Sequence, residues 1–480
     1  MNLLERSNEP LQLRVTERSE GFAATKLELK LTEALRILPE RREVYAGRLL
    51  GAERAVVAKR FLSHPKQARD WRREWDGLLT LEALNLSAPR PLCVAEEPDG
   101  SAVWVVMDRI EGAVSVLDGF DHGDRDERAE LAQQLAKLVD AAHRAGVRQG
   151  DQHVDNWAWD GARLYLLDAG SIEFSKHALP ERARLLDLAG ICVTLAPAAE
   201  QAFCAAIDTV YLIDDTDLKG RLLYELEGAI VSLQGERTRR YFKKTRRSCT
   251  EFVRVDTATY RAVHVRHADA ELIDALLNDP EALMVEGERL KAGNTCTVQG
   301  FSSGGQAYVL KRYNKKPLVD RLRKVFSDSR ALTSWSSAWV LDMAFIPTGR
   351  AVAVYEDGQE RLPGLRYLLM ERIEGQLLPD YVKSCEGDLA RVEAMADDFA
   401  QIWASLGRLR AAHGDLKATN LIVGTEGRLH LFDLDAFRFG LGTRAFERGR
   451  AKDLKRFMKN WSDRSELAQL FEAKIREVSE

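Results

Sequence analysis

The chain has 480 residues, more than one hydrophobic core usually organises, so two domains are expected. Apolar residues make up 45% and charged residues 30%, a balance that fits packed cores under a solvated surface and excludes a largely disordered chain. The formal net charge of −4 excludes a global pull toward nucleic acid, and no nucleic-acid partner is expected.

The chain opens with "MNLLERSNEPLQLRV", which has charges where a signal peptide needs an apolar run, and no stretch reaches the ~20 apolar residues of a membrane span. The most apolar window, Leu188 to Ala199, is short and contains Pro197. A cytoplasmic protein is expected. Its six cysteines show no CxxC and no metal-like spacing, so reduced thiols are expected and structural zinc is not.

Following the chain, a strand-like "AVVAKRF" carries Lys59, and Trp71, Trp75, Leu78 and Leu79 then recur at the spacing of one helix face. The hinge-like "VVMDRIEG" contains Met107, and a second helix is signalled by Leu131, Leu135, Leu138, Val139 and Ala142. "QGDQHVDNWAW" follows with Asp151 and Asn156, and then "LYLLDAG" with Asp168. The same order returns further on. "AYVLKRY" carries Lys311, "LLMERIEG" contains Met370, and Val392, Met395, Phe399, Ile402 and Leu406 mark a helix. "HGDLKATNLIV" supplies Asp415, Lys417 and Asn420, and "LFDLDAF" ends a strand at Asp433. Met107 and Met370 are 263 residues apart, Asp151 and Asp415 are 264 apart, and Asp168 and Asp433 are 265 apart. Offsets this steady predict two copies of one domain with small loop insertions.

Asp-x-x-x-x-Asn followed by an apolar strand that delivers a second Asp is the spacing of a kinase catalytic loop and its metal-binding aspartate. In the second copy Asp415 is the candidate base for an attacking hydroxyl, and Lys417 the cation that offsets charge on the transferring phosphoryl. Asn420 and Asp433 are the candidate Mg²⁺ ligands, and Lys311 the candidate lysine for the ATP phosphates. Turn chemistry alone also favours Asp and Asn in a loop, but two copies in register, each with an upstream strand lysine, argue against chance.

In the first copy the matching candidates are Asp151 as base, Asn156 and Asp168 as metal ligands, and Lys59 for ATP. Here Gln149 replaces the histidine and His153 stands where the second copy has Lys417. Histidine, with an ordinary pKa of about 6.5, is a weaker phosphate partner than lysine. Glu74 on the first predicted helix is either the carboxylate that orients Lys59 or a solvated charge; the local register puts Ser334 at that place in the second copy. Met107 and Met370, at the hinge-like segments, complete the candidate nucleotide contacts. Gly293, Gly304 and Gly305 frame a strand-turn-strand before Lys311, a weak sign of a phosphate-covering loop.

Asp168 lies 19 residues before Asp187, and Asp433 lies 20 before Asp453, too short for the peptide platform of a protein kinase. A small-molecule or sugar hydroxyl is the expected acceptor. The stretches "SRALTSWSSAWVLDMAFIPTGRAV", "YLLMERIEG", "HGDLKATNLIV", "LFDLDAF" and "RGRAKDLKRF" resemble the bacterial lipopolysaccharide core kinases, which phosphorylate heptose or Kdo sugars on a protein-kinase-like fold. The likeness is good over about 280–470 and looser over about 40–190.

The resemblance implies a protein-kinase-like fold and the internal repeat implies two copies of it, so the expected fold is α+β, two tandem protein-kinase-like domains, each with a small β-rich N-lobe and a mainly helical C-lobe; the tandem arrangement is itself a departure from the family. The expected domains are 1–265, with an N-lobe of about 20–107 and a C-lobe of about 108–265, and 266–480, with an N-lobe of about 282–370 and a C-lobe of about 371–480. The resemblance also implies ATP and Mg²⁺ as cofactors and a lipopolysaccharide core, or another anionic glycolipid, as partner. The seven Lys and Arg between Arg237 and Arg247 are either a solvated helix face or a dock for that glycolipid at the inner membrane face. The first copy is either a second, slower kinase or a pseudokinase that binds or regulates. A small-molecule kinase of the choline or aminoglycoside type, and a non-catalytic binding module, are the other readings.

Overall fold

The computed structural model describes residues 3–6, 9–38, 40–150, 152–210, 216–314, 328–358, 364–385 and 388–478. The fold is α+β, and the chain divides into two compact units, Met1–Leu233 and Gln234–Glu480. The division falls earlier than the expected 265/266 boundary. Strands β12 (Phe252–Asp256) and β13 (Tyr260–Val265) are the reason: β13 pairs with a strand of the second unit, Val263 opposite Val354. Phe252 packs against Trp335 and Trp339 at ring-centroid distances of 5.6 and 5.0 Å.

The first unit begins with six strands, β1 (Leu11–Arg18), β2 (Lys26–Leu38), β3 (Arg42–Leu49), β4 (Arg54–Leu62), β5 (Pro91–Glu96) and β6 (Ala102–Asp108). They close into a barrel in the order β1-β2-β3-β4-β6-β5, so the sheet starts before the expected residue 20. Side chains alternate between its two faces. Val56 and Ala58 join Tyr45 and Trp104 inside the barrel, while Phe61, Val105 and Met107 pack with the helix Gln67–Ala83. Lys59 has the parity of that second face.

Short strands β7 (Val114–Ser115), β8 (Val147–Gln149), β9 (Trp157–Trp159), β10 (Leu164–Leu166) and β11 (Ile172–Phe174) are interleaved with helices in the rest of the unit. The helix Arg125–Arg144 starts with a capping box made by Asp124 and Glu127 and buries Leu131, Leu135 and Val139.

In the second unit β12 and β13 share a seven-stranded antiparallel sheet with β14 (Glu288–Ala292), β15 (Cys296–Ser303), β16 (Gln306–Tyr313), β17 (Ala351–Asp357) and β18 (Arg366–Glu371). The order is β12-β13-β17-β18-β16-β15-β14. Five of these repeat the first unit: β14-β15-β16-β18-β17 runs as β2-β3-β4-β6-β5 does. The register repeats too, since Lys59 lies opposite Val105 and Lys311 opposite Leu368, with Val44 and Val298 on their other sides.

The glycines before Lys311 form the two-residue turn of the β15–β16 hairpin, with φ of +57° at Gly304 and +82° at Gly305. The helix Leu389–Arg408 buries all five of its expected core residues. Phe399 stacks on Phe457 of the helix Thr443–Met458 at 3.9 Å between centroids. Strands β19 (Gly375–Leu377), β20 (Leu421–Gly424) and β21 (Leu429–Leu431) carry the chain past the site. Among the described residues no helix is long and apolar enough to cross a membrane.

Candidate active site

In the second unit β16 delivers Lys311 to a pair of carboxylates. Its ammonium donates to Asp433 Oδ1 at 2.7 Å and to Asp435 Oδ1 at 2.8 Å. Burial works against the charge, yet Tyr313 and the two carboxylates hold Lys311 above lysine's ordinary value; partial burial would raise Asp433, but Lys311 in turn draws it below the usual carboxylate range. Asp433, two residues past the end of β21, lies in the left-handed region at φ +62°, a conformation rare outside glycine and most tolerated by Asp and Asn. That turn points the chain straight into the short 3₁₀ segment Leu434–Ala436. Only a few residues then separate Asp433 from the helix that starts at Thr443.

Residues 412–420 form the facing loop. Gly414 has φ +81°, and a Cβ there would lie 2.7 Å from the Ala436 carbonyl oxygen, so the close approach requires glycine. Its N–H donates to both oxygens of the buried Asp453 carboxylate at 3.0 and 3.1 Å. His413 is fully buried; its Nε2 bonds the Phe432 carbonyl at 3.1 Å, and its Nδ1 accepts from Asp415 N at 3.3 Å. Burial lowers its pKa, which suits a neutral imidazole that donates at one nitrogen and accepts at the other.

Asp415 itself is partly open to solvent and held by two cations: Lys417 Nζ at 3.1 Å and Arg456 at 2.9 Å. Asn420 turns its amide nitrogen to Asp415, 2.9 Å from the backbone oxygen and 3.4 Å from Oδ2, so its amide oxygen faces the other way. Asp433 and that oxygen are hard donors of the kind Mg²⁺ prefers, and the donor set fits the ion. Among the described residues no three His, Cys, Asp or Glu form a cage of their own; a Mg²⁺ that shares its shell with phosphates takes only one or two protein carboxylates.

The first unit builds the same frame with different parts. Lys59 donates to Glu74 Oε1 at 2.6 Å and to Asp168 Oδ1 at 3.2 Å. Glu74 is therefore paired and buried rather than a solvated charge. Asp168 is again left-handed, at φ +51°. Arg42 of β3 adds a second cation to it at 3.2 Å, and although burial alone would raise the carboxyl, Lys59 and Arg42 pull it down to about 2. The strand backbone closes the same way: Leu167 N–H reaches Asn156 O at 2.8 Å, as Phe432 N–H reaches Asn420 O at 3.1 Å. Gln149 donates to the Leu167 carbonyl at 3.3 Å, the place His413 reaches in the second unit, so the respelled residue keeps the bond.

The surroundings of the loop differ more. Asp151 lies outside the described residues. His153, at the Lys417 position, pairs with Asp155 at 3.2 Å. Gly190, which follows Asp187 by the same three residues that separate Arg456 from Asp453, has the Gln152 side chain packed over its Cα. Gln152 donates to Asp187 at 2.7 Å, and His143 bonds Asp187 at 2.9 Å. Asn156 is buried at the end of its loop.

Sequence reasoning missed Asp435, Arg456 and Arg42, each brought in from an element whose distance from its partner no local pattern reveals. Met107 is buried in the hydrophobic core of its unit and Met370 packs at the edge of its own. Of the seven basic residues of 237–247, three are drawn into the fold. Arg237 is buried enough to lower its pKa, Lys244 pairs with Glu251, and Arg246 pairs with Asp328 at 2.7 Å and covers Phe242. Arg239, Arg240, Lys243 and Arg247 remain exposed.

Residues 275–478 match the model of the lipopolysaccharide kinase (Kdo/WaaP) family. Members of that family are lipopolysaccharide kinases, and this part of the chain is accordingly that of a kinase, a phosphotransferase. The match spans most of the second unit and stops short of the first. No curated protein matches the chain.

Proposed function

We propose that the second unit transfers the γ-phosphoryl of ATP, with Mg²⁺, to a heptose or Kdo hydroxyl of a lipopolysaccharide core. The observation that carries the reading is the meeting of strand Lys311 with the left-handed Asp433 at 2.7 Å, beside a loop that ties Asn420 to Asp415. Asp415 would accept the hydroxyl's hydrogen bond and orient it for in-line attack. Lys311 would grip the α- and β-phosphates, and Lys417 would offset charge that spreads over the transferring oxygens. Asp433 and Asn420 would hold Mg²⁺, which when bound neutralises phosphate charge. The short link from Asp433 to the helix at Thr443 leaves no peptide platform and favours a compact acceptor.

The test is phosphate content of the core, by mass spectrometry, after incubation with the full chain and MgATP. Added phosphate is expected with the native chain and none with Asp415→Asn. An unmodified core, with ATP consumed on an aminoalcohol or aminoglycoside instead, would move the reading to a small-molecule kinase.

For the first unit, the kinase-like frame of Lys59, Glu74 and Asp168 supports a tandem pair of related domains. Its role is better read as binding or regulating than as a second transfer site, because the positions of Lys417 and Arg456 carry His153 and Gly190. Asp151→Ala tests this: every product phosphate should form at full rate, and a missing phosphate would restore a second, slower kinase. The exposed Arg239, Arg240, Lys243 and Arg247 support a glycolipid or inner-leaflet dock, each worth about 1 kcal/mol near an anionic surface. Replacing all four by Gln should release the chain from anionic vesicles.

A further inference from the structure

We propose that Asp435 is the residue that positions Lys311, a task that falls in the first unit to a helix glutamate. The inference rests on the reading of the second unit as a phosphotransferase site. Three positions change together between the units. Two residues after the strand lysine stands Phe61 in one and Tyr313 in the other; on the helix, beside the matched Trp75 and Trp335, stand Glu74 and Ser334; two residues after the left-handed aspartate stand Gly170 and Asp435.

Each set makes sense only as a whole. In the first unit the Glu74 carboxylate bridges Lys59 and the Gly170 N–H, the latter at 3.2 Å. A Cβ on residue 170 would sit 3.0 Å from Glu74 Oε2, so the helix carboxylate leaves no comfortable room for a side chain there. In the second unit the helix offers only the short Ser334, and the carboxylate comes from the loop. Asp435 Oδ1 accepts from Lys311 at 2.8 Å, from Tyr313 OH at 2.7 Å and from Ser334 Oγ at 2.9 Å. A carboxylate taken this far from water needs such donors, and Phe61 has no hydroxyl to give. Both units thus set one lysine between two carboxylates, one on the left-handed turn and one beside it. With Asp435 in place the ammonium stays aimed when Asp433 engages another cation.

The experiment uses the full chain in a Lys59→Met background, so that the second unit alone reports. It follows kcat and KM for ATP with a core oligosaccharide acceptor, and calorimetric binding of a non-hydrolysable ATP analogue with Mg²⁺. Asp435→Gly should raise KM and lower kcat/KM about 100-fold, the scale of a misplaced contact. Ser334→Glu with Asp435→Gly should recover most of that loss, and Tyr313→Phe on top should not reverse the recovery. The proposal is overturned if the double variant is no better than Asp435→Gly. It is also overturned if Asp435→Gly raises only the Mg²⁺ requirement with nucleotide affinity intact, since that would make Asp435 a metal ligand. Should the double variant fail to fold, Asp435→Glu against Asp435→Asn asks the same question: the charged variant should keep nucleotide affinity and the neutral one lose it. Asp433→Asn is the control for the underlying reading, because full turnover in that variant would sink the kinase site itself and leave the Asp435 assignment without an object.

Discussion

The two units hold a buried lysine between carboxylates on matching strands, yet they differ in which element supplies the second acid and in which residues stand at the two positions that bring cations to Asp415 in the second unit. The lysine geometry is kept by exchange: Glu74 leaves the helix and Asp435 enters the loop. The loop surroundings are not kept, for Lys417 and Arg456 hold Asp415 while their counterparts are His153 and Gly190. The lysine frame and the surroundings of the loop therefore differ independently between the units, and only the first difference is compensated.

The largest effect that would break this contrast is on rate. Asp415→Asn should cut initial phosphotransfer at least ~1,000-fold, within the range for loss of a positioned base, and equal losses from Asp151→Asn would erase the distinction between the units. Next is stability. Glu74→Ala strips a partner from a buried lysine and should cost about 3 kcal/mol in urea unfolding, whereas Ser334→Ala, which removes one neutral donor, should cost about 1 kcal/mol.

Lys417→His gives the second unit the spelling of the first. At pH 8 it should lower kcat about 10-fold through loss of one cation near the transferring group, and part of the deficit should return as pH falls through ~6.5, where imidazole charges. A pH-independent deficit would show that Lys417 acts by shape.

The smallest effect concerns His413 and Gln149, which reach equivalent carbonyls. His413 has its folded pKa depressed, so below about 6.5 the unfolded chain binds a proton that the folded chain refuses. Its contribution is therefore intact above that pH and lost as pH falls, at no more than about 1.4 kcal/mol per pH unit. His413→Gln should flatten that part of the urea-unfolding profile between pH 7 and 5, with Asp415, Asp433 and Asp453 as the neighbouring acids.

Much of this was legible in the sequence because it is local. Periodicity identified the helix faces, and the buried Val392, Met395, Phe399, Ile402 and Leu406 follow from 3.6-residue spacing. Spacing within the motifs was enough to single out Lys311 and Asp433, which meet across 122 residues of chain. What stayed hidden depends on which distant element comes close. The second Asp of "LFDLDAF" reads as an ordinary turn residue until Ser334 and Tyr313 are seen against it. Arg456 is separated from Asp415 by two helical segments' worth of choices, and Arg42 sits in a strand whose alternation does not mark it. The boundary was misplaced because β12 and β13 look like the tail of the first copy until their pairing with β17 is known.

One difference between the sheets bears on how the protein behaves when concentrated. The six-stranded sheet of the first unit closes on itself through β1 and β5, so it presents no row of unpaired backbone groups to a neighbour. The sheet of the second unit is open, with β12 at one edge and β14, an exposed strand, at the other. Strand edges of that kind recruit other strands unless charge or irregularity prevents it. Glu288, Arg289 and Lys291 supply the charge, and the register shift between Arg289 and Lys291 supplies the irregularity. Resistance to strand addition at that edge thus leans on these three side chains, and neutralising Glu288 and Arg289 would invite edge-to-edge aggregation there, while Lys291 also helps to hold Asp433 below the usual carboxylate range.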